Sequence, residues 1–88
     1  MPPITLAEAK GFLRVTDDAQ DGLIQLLIDA AIGRIEAAVG LVLDEASPAP
    51  LRLCLLMLVA SAFEHREAVE PSLALVEPWL APFRRGRL

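Results

Sequence analysis

The feature that most constrains this chain is a run of mostly apolar residues at positions 51–63, LRLCLLMLVASAF. Placed on a helix at about 100° per residue, its apolar side chains occupy every side, and only Arg52 and Ser61 are polar. A helix that is apolar all round has to be buried. Because Arg52 interrupts the run and a bilayer span needs about 20 apolar residues, we expect protein and not membrane to bury it.

The chain is small for the apolar surface that it carries. Its 88 residues make one domain, and a domain of this size buries about two-thirds of its unfolded surface. Yet 55% of the residues are hydrophobic, above the about 45–50% that is usual in soluble domains. Either the monomer is unusually apolar or other subunits cover part of it. Small domains often compensate for a small core by oligomerising, which favours the second interpretation.

Charge is unevenly distributed along the chain. Residues 1–83 contain five basic and twelve acidic side chains, a net charge of −7, and the last five residues add three arginines that bring the total to −4. Binding along a nucleic-acid backbone needs several Lys or Arg residues on one face, so an acidic body argues against it.

The residue types that carry chemistry are scarce. Cys54 and His65 are the single cysteine and the single histidine, so neither an intrachain disulfide nor a structural zinc site is expected. Eleven helical residues, about 16 Å, separate the two, too far for a nucleophile and its base. Glu64 and His65 as an acid and base would point about 100° apart on a helix. We therefore expect no enzyme, with no catalytic residue, no metal and no cofactor.

The N-terminus predicts an intracellular protein. Its first ten residues, MPPITLAEAK, lack the basic start and the apolar stretch of a signal peptide. A reducing compartment also suits a single free cysteine.

Capping patterns predict where the first two helices begin and end. Thr5 and Glu8 have the spacing of a capping box, so a helix is expected over residues 5–14. Asp17, with Gln20 three residues later, predicts a second cap and a helix over residues 18–39. Gly40 follows that helix in the place of a left-handed C-cap residue.

Prolines shape the second half of the prediction. An extended link is expected at 41–47, with Ser47 as a cap, and the central helix over 50–68, since Pro71 disfavours helix before it. A last helix is expected at 73–80 with Leu73, Val76 and Leu80 facing inward, as one short helix, a kinked pair or an arm.

The fold class is thus all-α, a bundle of about four helices. Residues 1–83 form the domain and residues 84–88 form a basic C-terminal tail.

The second predicted helix has two candidate contact faces. Its large apolar residues fill about half of the helical wheel, and a separate strip holds the small residues Gly22, Ala30, Gly33 and Ala37. Small side chains let two backbones come close. Gly22 and Gly33 predict either local bending or a close helix crossing inside the monomer, or the approach of a neighbouring subunit.

Two charged groups are candidate contact sites. The central helix ends in Phe63, Glu64, His65, Arg66 and Glu67, either a solvated helix end or an ion-pair and stacking contact with another subunit, because arginine pairs with carboxylates in a forked geometry.

The second group follows the last predicted helix. Its members are Trp79, Phe83, Arg84, Arg85 and Arg87. The arginines are either a solubilising end, a docking arm for an acidic or carbonyl-rich groove on a partner, or a nucleic-acid contact. Three arginines displace few counterions, so the last alternative is the weakest.

The order of these features resembles a known family. The opening ITLAEAKGFLRV at residues 4–15, the segment FEHREA at 63–68 and the close LAPFR at 80–84 are similar to the small head–tail connector (adaptor) proteins of long-tailed phages and gene transfer agents. In that family the three motifs read like ITLEEAKxHLRV, YENRE and LLxPYR. Here Phe63, His65 and Phe83 replace the Tyr, Asn and Tyr of those motifs.

The resemblance implies a structural virion protein of the head–tail junction, present in the host cytoplasm before assembly. It implies a homo-oligomeric, dodecameric ring under the portal protein that extends the DNA channel and carries the tail or a stopper protein. DNA would pass without specific binding, as an acidic lining allows. Residues 63–67 would lie at a subunit or portal contact, and the arginine tail would dock into the portal. A small helical DNA-binding or regulatory interaction module is the alternative function, although the second helix carries one arginine among several acids.

Overall fold

The computed structural model describes residues 2–65 and 73–83. This part of the chain contains four α-helices and no strand, as the all-α prediction requires. The helices are α1 (Leu6–Leu13), α2 (Asp21–Val39), α3 (Ala49–Glu64) and α4 (Glu77–Leu80). Short 3₁₀ turns, Leu73–Leu75 and Ala81–Phe83, flank α4.

Helix α1 begins at the predicted capping box. The Glu8 amide donates to Thr5 Oγ1 at 3.1 Å, and the Thr5 amide donates to Glu8 Oε1 at 2.8 Å. The helix ends after Leu13 because Arg14 adopts a left-handed conformation with φ 62°. The N-terminal cap was therefore predicted correctly. At the C-terminal end, the left-handed residue is an arginine and not a glycine, so no sequence signal marked this cap.

Helix α2 begins later than predicted and ends where predicted. Asp17 does not cap it, because its carboxylate accepts a hydrogen bond from the Ala19 amide at 3.1 Å and forms a local turn instead. The helix starts at Asp21 after Gln20, whose side chain makes no capping bond. Gly40 ends the helix in the left-handed conformation, with φ 71°.

Helix α3 is shorter than expected. The predicted cap at Ser47 is wrong, because Ser47 Oγ accepts from the Asp44 amide at 2.9 Å and closes a turn before the helix. Pro48 is the N-cap residue, and Pro50 lies in the first turn, where its missing amide hydrogen costs nothing. The helix ends at Glu64 and not at residue 68. The predicted stop at Pro71 lies outside the described residues.

The C-terminal segment is a broken helix that packs on α3. Val76 and Leu80 are fully buried and Leu73 is half-buried, which confirms the predicted inward face. Pro78 lies in the first turn of α4, where proline is tolerated.

Helix α3 is the element on which α1, α2 and α4 all pack. The described core is apolar throughout and consists of Ile4, Ala9, Ile24, Ile28, Ala31, Ile35, Val39, Leu43, Leu51, Cys54, Leu55, Leu58, Val59, Val76 and Leu80.

One side of α3 is only half covered by the described chain. Leu53, Leu56, Met57 and Ala60 on that side are half-buried. Within residues 2–65 and 73–83, no helix has the length and apolar character that crossing a membrane requires.

Candidate subunit-contact surfaces

An apolar face of α2 points away from the core. It consists of five exposed residues spaced four, four, three and four positions apart, which places them on one side of the helix: Gly22, Leu26, Ala30, Gly33 and Ala37. We call it the α2 outer face. Leu26 is its one large side chain and is 65% exposed. A contiguous exposed apolar patch often marks a contact surface, whereas single scattered apolar residues do not. The α2 outer face is contiguous along one side of the helix.

The two glycines of this face have open space around them. A Cβ atom added to Gly22 or Gly33 would meet no heavy atom within 4 Å. Among the described residues, no close helix crossing accounts for these glycines. Helix α2 runs through both positions without a break. The approach of a neighbouring subunit stays a prediction.

Acidic and amide side chains border the α2 outer face along one edge. Gln25 Nε2 donates to Asp29 Oδ1 at 3.1 Å within the helix. Seven residues after Asp29, about two turns further along the helix, Glu36 Oε2 accepts from the Leu43 amide at 2.9 Å, which fixes the link after α2. The edge that carries Asp29 and Glu36 is negative, whereas the face itself bears no charge.

A second apolar surface covers the outside of the C-terminal segment. Four exposed residues, spaced three, one and three positions apart, are called the C-terminal ridge: Leu75, Pro78, Trp79 and Pro82. Leu75 is 46% and Trp79 is 45% exposed. Trp79, a predicted docking residue, is thus available for contact.

The other members of the predicted docking group are placed differently. Phe83 is half-buried and packs on the core of its own chain, so it anchors the segment. Arg84, Arg85 and Arg87 lie outside the described residues, and their portal-docking role stays a prediction.

At the charged end of α3, some side chains are packed on the core and others are exposed to solvent. Phe63 is half-buried against the core, whereas Glu64 and His65 are exposed. The His65 amide donates to the Ser61 carbonyl at 2.9 Å, and His65 Nδ1 lies 3.2 Å from the same oxygen. The tautomer with its proton on Nδ1 donates to this carbonyl at the helix end. The remaining members of the group, at positions 66 and 67, lie outside the described residues, and the predicted contact is untested.

Arg52 has a role that the sequence did not reveal. Its Nε donates to the Pro3 carbonyl at 2.9 Å, and its Nη2 pairs with Glu8 Oε2 at 2.9 Å. These bonds hold the N-terminal segment, with buried Ile4, against the first turn of α3. The partners lie more than 40 positions apart in the chain, so no local spacing could have signalled them.

Lys10 joins α1 to the start of α2. Its ammonium lies 2.7 Å from Asp18 Oδ1 and 2.8 Å from Asp21 Oδ1. The hydrogen bonds to these carboxylates raise the pKa of Lys10, and the bond from Lys10 lowers the pKa of Asp18. The sequence placed acidic residues at this helix start, but the lysine that pairs with them belongs to another helix.

The cysteine is built into the core. Cys54 is fully buried, and burial raises the pKa of its thiol. Its Sγ lies 3.9 Å from the Val76 carbonyl oxygen. A protonated, enclosed thiol does not act as a nucleophile. Among the residues that the structure describes, no group of three or more His, Cys, Asp or Glu side chains is arranged to hold a metal ion.

Fold and surfaces together define a small all-α protein whose apolar surface extends beyond its core. The family model of phage gp6-like head-tail connector proteins matches residues 3–72. The chain therefore belongs to this family of structural phage proteins, which connect the head to the tail. The match includes the opening motif and residues 63–68, and it ends before the closing motif at 80–84. No curated protein and no solved structure gives a significant match.

Proposed function

We propose that this protein is the connector subunit that forms a ring under the portal of the capsid. The ring, a dodecamer as the family resemblance implies, extends the DNA channel and provides the platform for a stopper or tail-completion protein. The observation that carries this proposal is the family match over residues 3–72. Membership in the family implies contact with head and tail proteins of the virion. The ring, the portal and the stopper protein as its neighbours are the additional content of this proposal.

Uncovered apolar surface supports assembly. The α2 outer face and the C-terminal ridge both lie outside the core, with Leu26 and Trp79 exposed by 65% and 45%. A chain that repeats one contact between two different surfaces closes into a ring when the rotation between copies allows it.

Charge supports the passage of DNA. The net charge of −7 over residues 1–83 gives each subunit a negative surface, which repels the phosphate backbone and lets a duplex slide without sticking. Catalysis has no part in the proposed role.

The exposed end of α3 is the proposed portal or subunit contact. Glu64 and His65 lie at the surface there, and Arg66 follows in the sequence as a forked partner for carboxylates. Arg66→Ala should weaken ring or portal binding, with Arg14→Ala as an arginine control at the exposed end of α1. Normal assembly of Arg66→Ala would reduce this group to a helix end.

Electron microscopy tests the proposal directly. The full chain, purified alone and with the portal protein of its own phage, should give rings or portal particles that carry an added ring. A stable monomer that does not bind the portal protein but binds duplex DNA at low salt would overturn the proposal and favour a DNA-binding module.

A further inference from the structure

The two uncovered apolar surfaces differ in shape. The α2 outer face is formed mainly by small residues around Leu26, and both of its glycines have free space where a side chain would be. The C-terminal ridge instead projects Leu75 and Trp79, each nearly half exposed. On the α2 outer face, small residues on both sides of Leu26 leave shallow spaces, and the large side chains of the C-terminal ridge are of a size to fill such spaces, as ridges fill grooves between packed helices.

We propose that the C-terminal ridge of one copy packs on the α2 outer face of the next copy, and that the arginines after Phe83 lie along the acidic edge of that face. This inference rests on the proposed ring, because it names the contact that would repeat around it. The occupant of the α2 outer face is thus a second copy of this chain.

The position of the two surfaces suits a repeating contact. Helix α2 and α4 each pack on α3 and make few contacts with each other. A copy therefore offers its α2 outer face to one neighbour and its C-terminal ridge to another at the same time. A contact between two different surfaces is the heterologous type from which rings are built.

Electrostatics identify the occupant more closely. Neither surface includes a charged side chain. Two copies of this acidic chain that meet through these surfaces therefore bring few of their negative side chains close together, which keeps the repulsion between them small. Next to the apolar contact, the charges are complementary. Arg84, Arg85 and Arg87 follow the ridge in the sequence, and Asp29 and Glu36 border the α2 outer face.

The lengths agree as well. The four residues that follow Phe83, residues 84–87, reach at most about 14 Å when extended. Asp29 and Glu36, seven residues apart on a helix, are separated by about 10 Å along its axis. Three arginines on a segment of that length are enough to pair with both carboxylates.

Filling the face without disturbing the monomer tests the apolar half of the inference. Gly33→Leu places a large side chain on the α2 outer face, at an exposed position where an added Cβ atom meets no described neighbour within 4 Å. Gly11→Leu is the matched control, because Gly11 is also helical, exposed and free of neighbours within 4 Å, but belongs to α1. In native mass spectrometry and sedimentation, Gly33→Leu should weaken self-association at least tenfold, and Gly11→Leu should not. Equal behaviour of the two variants would overturn the inference.

Disulfide trapping identifies the pairing even when association is weak. The double variant Ala30→Cys with Trp79→Cys should oxidise into a ladder of dimers, trimers and higher species, since each copy carries both ends of the contact. Each single variant should stay unlinked, because Cys54 is buried. Absence of the ladder overturns the inference, and dimers from Ala30→Cys alone would show that α2 packs on α2 of its neighbour.

The tail has a separate test. Replacing Arg84, Arg85 and Arg87 together by Glu should reduce the yield of the ladder severalfold at low salt. If the ladder is unchanged and portal binding is lost instead, the arginines dock into the portal. The proposed pairing of these arginines with the acidic edge of the α2 outer face is then wrong.

The same measurements separate this inference from the proposed function. Rings on the portal without a ladder would leave the connector role intact and overturn the contact. A ladder from a chain that never binds the portal would support the contact and overturn the connector role.

Discussion

Among single residues, Arg14 carries the clearest backbone cost. It is the one non-glycine residue with positive φ in the described part of the chain, at φ 62° and ψ 39°. The left-handed region brings the Cβ atom too close to the backbone, which costs about 1 kcal/mol for an ordinary L-residue. The conformation lets the amides of Arg14 and Val15 bond to carbonyls of the last turn of α1, so the end of the helix depends on it.

Arg14→Gly should therefore stabilise the protein. Glycine reaches the left-handed region without a steric penalty, although it loses more chain entropy on folding. We expect a net gain of about 0.5–1 kcal/mol in the free energy of unfolding, measured by urea denaturation. Arg14→Ala keeps the Cβ atom and should bring no such gain. An equal gain from alanine would show that the arginine side chain, and not its backbone, was the source of the cost.

At the scale of one element, α2 contains two glycines with opposite requirements. Gly33 has ordinary helical geometry and open space at its missing side chain. Gly40 ends the helix with φ 71°, where its freedom of conformation is needed. A helix interior disfavours glycine, whereas a left-handed C-cap favours it.

Alanine at these two positions should change stability in opposite directions. Gly33→Ala should raise the free energy of unfolding by up to about 1 kcal/mol, because alanine is the better helix former and meets no neighbour. Gly40→Ala should lower it by about 1 kcal/mol, because a Cβ atom strains the left-handed cap. Thermal and urea unfolding of the monomer at low concentration measures both. A loss at Gly33 would mean that the monomer itself has no room there.

The elements also show which sequence signals were sufficient. Thr5 with Glu8 and the glycine at position 40 were predicted correctly, because the first pair forms the reciprocal bonds of a capping box and the glycine adopts the left-handed conformation that ends a helix. Asp17 and Ser47 were misread, because each side chain bonds to an amide in a local turn before the helix begins. A spacing pattern does not distinguish these two uses of one side chain.

The candidate surfaces were predicted in part. The strip of small residues on α2 follows from helical periodicity, and the structure adds that Leu26 stands among them, exposed. The clamp that Arg52 makes with Pro3 and Glu8 was not predicted, because it joins residues that only the fold brings together.

At the scale of the whole molecule, shape explains why apolar surface is left over. The body measures 45 × 28 × 17 Å, and packed helices lie about 8–10 Å apart. In the thinnest direction there is room for about two helices, and the described residues leave one side of α3 only half covered. Helix α3 is apolar on nearly every side, and the described residues fully bury only the side that carries residues such as Leu55 and Leu58. Assembly would cover the rest.

Two identical substitutions should separate folding from assembly. Leu55 is completely buried and Leu26 is 65% exposed. Leu55→Ala should cost about 2–5 kcal/mol, because it removes packed apolar contacts and leaves a cavity. That loss approaches the whole stability of a small domain, about 5 kcal/mol. Leu26→Ala should change the stability of the monomer by less than about 0.5 kcal/mol, yet weaken self-association.

Urea denaturation at low concentration measures the first quantity, and sedimentation at high concentration measures the second. A large loss of monomer stability from Leu26→Ala would place that residue in the core. Unchanged self-association of a folded Leu26→Ala would remove the α2 outer face from the assembly. Because the chain and the type of substitution are the same in both cases, only the position of the leucine distinguishes the two results.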